Sequence, residues 1–266
     1  MSDPVVVSNL KMSGAAQALY FGTKGTGWTA ASRVGIKNIT ASDSSSEIDV
    51  TDSETTGDSK EYLAGRGASS IKFDGILKDS NGLKLSGKNI SLTYNSITYP
   101  LTDFEFQHNG DKIDVTDGGT AGNGYEYLAG RVARALSSSF WLKNTVLLPA
   151  KDDLYHPFTL TLKTGITITG SAKVLSSEIT NEVGSSPKAK ASFNVSTVDL
   201  SAITTLPTYG VAKDFKVLFQ AGVTTDSALE GNGTIYQFSL SGSFNSEIKY
   251  SGTIDVNGSA TQSVAS

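Results

Sequence analysis

Residues 48–68 read IDVTDSETTGDSKEYLAGRGA, and 65 positions later residues 113–133 read IDVTDGGTAGNGYEYLAGRVA. The two align without a gap, and 14 of the 21 positions are identical. The identities include Ile, Val, Tyr, Leu and Arg, which Ser/Thr/Gly-rich composition does not supply by chance, so the first half of the chain is internally duplicated. In each copy an Ile and a Val lie two apart, Ile48 with Val50 and Ile113 with Val115, on one face of a strand. The Thr-Asp pair that follows is a strand-ending turn former. Tyr62-Leu63 and Tyr127-Leu128 read as apolar anchors, and Gly65 and Gly130 as points where the chain turns sharply into its next strand. Glu61 with Arg66, and Glu126 with Arg131, are placed to pair within the loop or across to a neighbouring subunit. A surface pair of that kind contributes only about 0–1 kcal/mol. Candidate strands Val34 to Ile39 and Tyr99 to Phe104 precede the two copies. The repeated unit therefore reads strand, turn, strand, loop, then Glu-Tyr-Leu-Ala-Gly-Arg.

Period-two alternation of apolar and polar residues continues through most of the chain and predicts an all-β fold. Ile90, Leu92 and Tyr94, the turn Asn95-Ser96, then Ile97, Tyr99 and Leu101 predict a hairpin whose second strand continues to Phe104 and Phe106. Phe158, Leu160 and Leu162, then Thr164-Gly165, Ile166 and Ile168 predict another, with the glycine supplying the positive φ of a tight turn. Strands are also expected at 193–198, 215–220, 236–240 and 248–256. Residues 131–142 fit two patterns equally: Val132, Leu136 and Phe140 recur at helical spacing, yet the segment also reads as a strand. The expected fold is a β-sandwich or barrel with long loops and at most one short helix. Residues 1–33 read as an arm or long loop and 257–266 as a flexible tail. The β region spans 34–256, with the duplicated unit at 34–98 and 99–150 followed by further strands.

Composition narrows the function. The chain has 266 residues, 22 Lys and Arg against 26 Asp and Glu, and a net charge of −4 shared evenly about residue 150. That balance lacks the basic footprint of a nucleic-acid grip or a membrane surface. With no cysteine there is no disulfide, thiolate metal site or Cys nucleophile. Only His108 and His156 are available for imidazole chemistry. No G-x-S-x-G elbow occurs, and in Gly22 to Gly27 the lysine precedes the glycines it would follow in a phosphate-binding loop. Asp-x-x-Asp spacings in both repeats raise a calcium reading, but the EF-hand pattern is missing. No basic leader precedes an apolar run, and no stretch approaches a membrane span. These readings predict a non-enzyme with no cofactor and no membrane partner.

The order of Ile-Asp-Val-Thr-Asp, a glycine-containing polar loop, Glu-Tyr-Leu-Ala-Gly and a further strand resembles the tail tube, or major tail, proteins of long-tailed bacteriophages. The stretch Ile168-Thr-Gly-Ser-Ala-Lys-Val and Ala191-Ser-Phe-Asn-Val resembles the second strand pair of that fold. The likeness covers roughly 35–200. It departs from the family in carrying the motif twice and in the 65 or so residues that follow. The resemblance implies a virion protein, assembled in the host cytoplasm, whose subunits form rings that stack into a hollow tube. Such a tube conducts double-stranded DNA and joins other tail proteins. Family rings are usually hexameric, and a duplicated chain would equally form a trimer of pseudo-sixfold symmetry. The alternatives are a tail-tip, baseplate or tail-completion component, or a β-rich receptor- or glycan-binding module.

Charge patterning adds to this. Residues 43–61 carry a net −6 and residues 108–126 a net −3. Asp49, Asp52, Glu54, Asp58 and Glu61 are thus candidates for the lumen wall or for contacts between rings, because a DNA conduit is served by a surface that does not hold phosphates. A solvated loop kept for solubility explains the same charges.

Overall fold

The computed structural model describes residues 17–22, 28, 33–34, 36–49, 62–79, 82–117, 125, 127–142, 147–180, 186–203, 209–219 and 227–264. Alternation becomes strand throughout, and the fold is all-β. The strands are β1 (Ala18–Gly22), β2 (Arg33–Val34), β3 (Ile36–Asp49), β4 (Tyr62–Ile76), β5 (Ser91–Tyr94), β6 (Ile97–Asp114), β7 (Tyr127–Trp141), β8 (His156–Lys163), β9 (Ile166–Thr180), β10 (Lys188–Asp199), β11 (Lys213–Leu218), β12 (Ser227–Ser243) and β13 (Lys249–Val264). The helical content among the described residues is one 3-10 turn, Gly87–Asn89.

Hydrogen-bond pairing closes six of these strands into a ring and joins the other seven in a path that begins at β2 and ends at β3, neighbours in sequence. β6, β5, β8, β9, β10 and β7 pair in that order, and β7 pairs back to β6. The result is a six-stranded antiparallel barrel built from one continuous stretch of chain. In the other set β2 pairs β1, β1 pairs β11, then β12, β13, β4 and β3 follow, and only residue 35 separates β2 from β3 in the sequence. This second barrel takes strands from both ends of the chain, so the first is inserted within it. The apolar face of each strand fills a barrel. Leu92, Phe106, Phe140, Leu160, Ile168 and Phe193 are buried in one, and Leu19, Ile71, Phe215, Val217 and Ile254 in the other.

The two barrels are copies of one pattern. Adding 65 to β4 (Tyr62–Ile76) gives β7 (Tyr127–Trp141), and adding 65 to β3 gives 101–114, the rest of β6. Subtracting 61 from the first residues of β12 and β13, Ser227 and Lys249, gives Ile166 and Lys188, where β9 and β10 begin. Registers agree as well: Lys249 lies opposite Ile76 as Lys188 lies opposite Trp141. The skipped residue of β12, Tyr236, corresponds to the skipped residue of β9, Leu175. In each barrel a phenylalanine faces a glycine across a strand pair, Phe158 with Gly170 and Phe215 with Gly231. A Cβ on Gly170 would run into the Thr197 carbonyl and lie 2.9 Å from the Phe158 ring, so glycine is required there by close approach.

Several sequence expectations are corrected. Of the two patterns that fit 131–142, strand is the one that forms, as far as Trp141, because both edges of β7 find partners, β6 on one side and β10 on the other. Each repeat is not two short strands and a turn but one long strand, since β6 runs unbroken from Ile97 to Asp114. The expected arm at 1–33 contains β1 and the first residue of β2, with Ala18 and Leu19 fully buried; the rest of it lies largely outside the described residues. The expected tail from Asn257 continues β13 to Val264, held by backbone pairing to β12 despite its small polar side chains. Gly130 turns nothing: it sits inside β7 beside the bulge at Asp111, whose Cβ would lie 3.1 Å from an added one. The two predicted hairpins form as read, with positive φ at Asn95 and Ser96 in one turn and at Gly165 in the other.

Overpacking a strand pair in a filled barrel is costly, typically about 1–3 kcal/mol. Gly170→Ala is expected to lower the unfolding free energy by about that amount. A urea unfolding curve for the variant beside the parent checks it.

Candidate assembly interface

β6 and β12 are each longer than their barrels need. One edge of β6 pairs β5 only over Ile97–Pro100, and one edge of β12 pairs β11 only over 228–233. The remaining half-edges carry backbone N–H and C=O groups that must find partners. They find each other: Asp103 to Asn109 pair with Ser243 to Gln237, and this ladder welds the barrels into one sheet. Leu240 faces Phe106 across the joint, both fully buried, and the Phe104 ring covers Gly242.

Beyond the joint the β6–β7 hairpin runs on as an arm and lies against the other barrel. The Tyr236 hydroxyl donates to the Tyr127 carbonyl at 2.9 Å, and the Gly258 N–H donates to the Tyr125 carbonyl at 3.2 Å. Lys112 Nζ reaches Asp255 Oδ1 at 2.8 Å and sits 5.1 Å from the centre of the Tyr127 ring.

His108 lies inside the joint, opposite Phe238 and 3% exposed. Its ring stacks on Tyr209 at 3.8 Å between centroids and meets Phe106 edge-on. Among the described residues neither ring nitrogen has a hydrogen-bond partner. Burial, and after it the nearby Arg134 guanidinium, pull its pKa down from 6.5 to about 4, so the ring is neutral at pH 7. It acts as a packing aromatic rather than a ligand or base. His156 instead begins β8, with Nε2 2.7 Å from Asp152.

Among the described residues the same rule leaves two half-edges open. Residues 38–44 of β3 correspond to 103–109 of β6, and residues 176–180 of β9 correspond to 237–241 of β12. Among the described residues β3 pairs only β4 on its other edge, and β9 beyond Ala172 pairs only β10. The side chains beside them differ from their counterparts in exposure. Leu240 and Tyr236 are fully buried at the internal joint, whereas Ile179 is 55% and Leu175 is 48% exposed.

Across the joined sheet the face turned away from both cores is polar. It presents Asn38, Thr40, Gln107, Ser139, Ser239 and Ser251, and an open depression of about 400 Å³ lies over its middle. Lys72, Lys188, Lys190 and Lys249 share the face with Asp74, Asp103, Glu105 and Glu178. Hydroxyls and carboxylates bond to one another along it, Ser139 to Asp103 at 2.8 Å and Ser239 to Ser251 at 2.7 Å. Hydroxyl and amide groups spread along a flat sheet do not converge on one substrate atom.

The residues singled out from the sequence are dispersed along the two hairpins. Ile48 and Asp49 end β3, and Tyr62, Leu63, Gly65 and Arg66 begin β4. Val50, Asp52, Glu54, Asp58 and Glu61 lie outside the described residues, as does Glu126. Ile113 is 52% and Leu128 58% exposed, so Leu128 does not anchor this subunit. It belongs to the part of the arm that extends past its own barrel. Val115 lies just past the strand end, where the Thr116 N–H bonds to Asp114 Oδ1, and Arg131 is exposed. The joint and the open half-edges were missed. The signal for them is faint, an offset of 61 that keeps only Gly170 with Gly231, Lys188 with Lys249 and Val195 with Val256 among the paired strands.

No family model matches the chain, and no curated protein matches it significantly. Among solved structures, a chain in the virion of a native gene transfer agent particle superposes with a TM-score of 0.34 at 12% identity, over 42% of this chain and 94% of that one. A chain in the tail of an empty gene transfer agent particle, computed with C6 symmetry, gives 0.33 at 14% identity, over 43% and 95%.

The buried histidine sets an expected pH response. Unfolded, His108 takes up a proton near 6.5, and folded, only near 4. The unfolded chain therefore holds more protons between those values, and stability falls as pH drops through the window. The loss attributable to this residue is roughly 3 kcal/mol, complete below pH 4. Denaturant titrations from pH 7 to pH 4 should show that slope, flattened in His108→Phe.

Proposed function

We propose that this chain is a structural protein of a bacteriophage tail that polymerises into rings, which stack as the tail tube conducting double-stranded DNA. The observation that carries this reading is the pair of open half-edges. A sheet edge with exposed N–H and C=O groups is either protected or used, and proteins that keep long open edges template pairing with another chain. Here the two edges are different strands, so pairing between copies is head to tail and propagates to a closed ring or a filament. With two barrels per chain, three copies would present six barrels around an axis, matching the hexameric rings of the family that the duplicated motif resembles.

The polar sheet face supports the conduit role. DNA is retained by fixed cations that displace its counterions. A wall of hydroxyls and amides, with its few lysines interspersed among carboxylates, offers little of that grip. The segments 51–61 and 116–126, which join the strands of the two hairpins in sequence, would reach the boundary between rings or subunits, with other tail proteins meeting the end rings. The protein would be located in the virion after assembly in the host cytoplasm, with no catalytic step and no membrane partner.

Negative-stain electron microscopy over a concentration series, with mass photometry alongside, tests the reading. Rings or hollow tubes in multiples of three chains are expected without any ligand. A strict monomer at every concentration, also on co-expression with a tail-tip complex, would contradict it.

A further inference from the structure

We propose that the seam between copies repeats the internal joint residue for residue: β3 of one copy pairs antiparallel with β9 of the next, with Ala41 opposite Ile179. The inference rests on the self-assembly reading and goes beyond it by assigning the contacting strands, their register and the segment that covers them. The internal joint sets the register. Phe106 opposite Leu240 becomes Ala41 opposite Ile179 when 65 and 61 are subtracted. His108 opposite Phe238 becomes Asp43 opposite Ser177, and Glu105 opposite Ser241 becomes Thr40 opposite Thr180.

Three features fit that pairing. The first is burial. Ile179 is a large aliphatic side chain 55% exposed at a position whose counterpart, Leu240, is fully buried. Its new neighbours, Ile39 and Ala41, already lie on the core-facing side of β3, so pairing would extend one apolar face across the seam. The second is polarity. The register places Thr40 opposite Thr180 and Ser42 opposite Glu178, and puts no like charges opposite each other within 40–44. A slip by one residue would turn Ile179 to the polar face. The third is the arm. Tyr236 is covered by the Tyr127 end of the β6–β7 hairpin, and the counterparts are Leu175, 48% exposed, and Tyr62, where β4 begins. The β3–β4 hairpin, which carries the first copy of the duplicated motif, would then lie over the neighbour as the second copy lies over its own chain. The duplication thus supplies one arm for the joint inside the chain and one for the seam outside it.

The seam also differs from the joint in bulk. Ala41 replaces Phe106 and Asp43 replaces His108, so β3 cannot fill the space on β12 that β6 fills. The internal joint is closed to a competing copy, and assembly is directed to β9.

Because the chain has no cysteine, introduced pairs are unambiguous. Thr40→Cys combined with Thr180→Cys should give, on mild oxidation of assembled protein, a disulfide ladder ending in a closed species. Ser44→Cys with Thr180→Cys lies on the same face but four residues out of register, about 13 Å away at roughly 3.3 Å per residue, and should give no ladder. Ala41→Cys with Ile179→Cys repeats the test on the opposite face should the first pair disturb folding. Ile179→Asp should lose rings while its monomer melts like the parent, and Leu83→Asp, exposed and away from both edges, should keep them. Rings that form without the predicted cross-links, or cross-link equally out of register, would overturn the seam and leave self-assembly standing. Absence of rings from the unaltered chain, also on co-expression with a tail-tip complex, would overturn both.

Discussion

Backbone hydrogen bonding at the ends of two long strands governs this molecule. A strand longer than the barrel it helps to close has half an edge left over, and a row of unpaired N–H and C=O groups costs far more buried than paired. β6 and β12 have that excess on matching sides, so one satisfies the other over Asp103–Asn109 and Gln237–Ser243. The joint, the merged sheet, its polar outer face and the position of the second hairpin arm all follow from that ladder.

Duplication gives the arrangement its further meaning. The same excess exists on β3 and β9, so an arrangement that joins barrels inside the chain leaves an equivalent pair of edges outside it. The two sites are alike in backbone and unlike in side chains. At the joint, Phe104, Phe106 and His108 are bulky and buried; on β3 the counterparts are Ile39, Ala41 and Asp43. Backbone geometry is kept where it makes the ladder, and side chains diverge where the two ladders have to be distinguished.

Much of the fold was legible from alternation alone, because one wet face and one dry face impose period two on the sequence. The hairpins around Asn95-Ser96 and Thr164-Gly165 were legible because their turns need residues that tolerate positive φ. The duplication was visible only in the hairpin 48–68 and 113–133, where side chains were retained, and invisible in β9–β10 and β12–β13, where the shared property is register. Residues 131–142 were ambiguous because a spacing of four is also a multiple of two: Leu136 and Phe140 point into the barrel from a strand as they would from a helix. Leu128 reads as an anchor because sequence shows that a residue is apolar and not where the barrel stops. The joint itself depends on which half of a long strand lacks a neighbour, a property of the whole pairing scheme.

Hydrogen–deuterium exchange of the backbone, measured on monomer and on assembled particles, tests the central claim most directly. Amides at 103–109 and 237–243 should be protected in both states. Those of 38–44 and 176–180 that point to the open edge should exchange freely in the monomer and become protected on assembly. Particles in which both open edges exchange as fast as in the monomer would contradict the account.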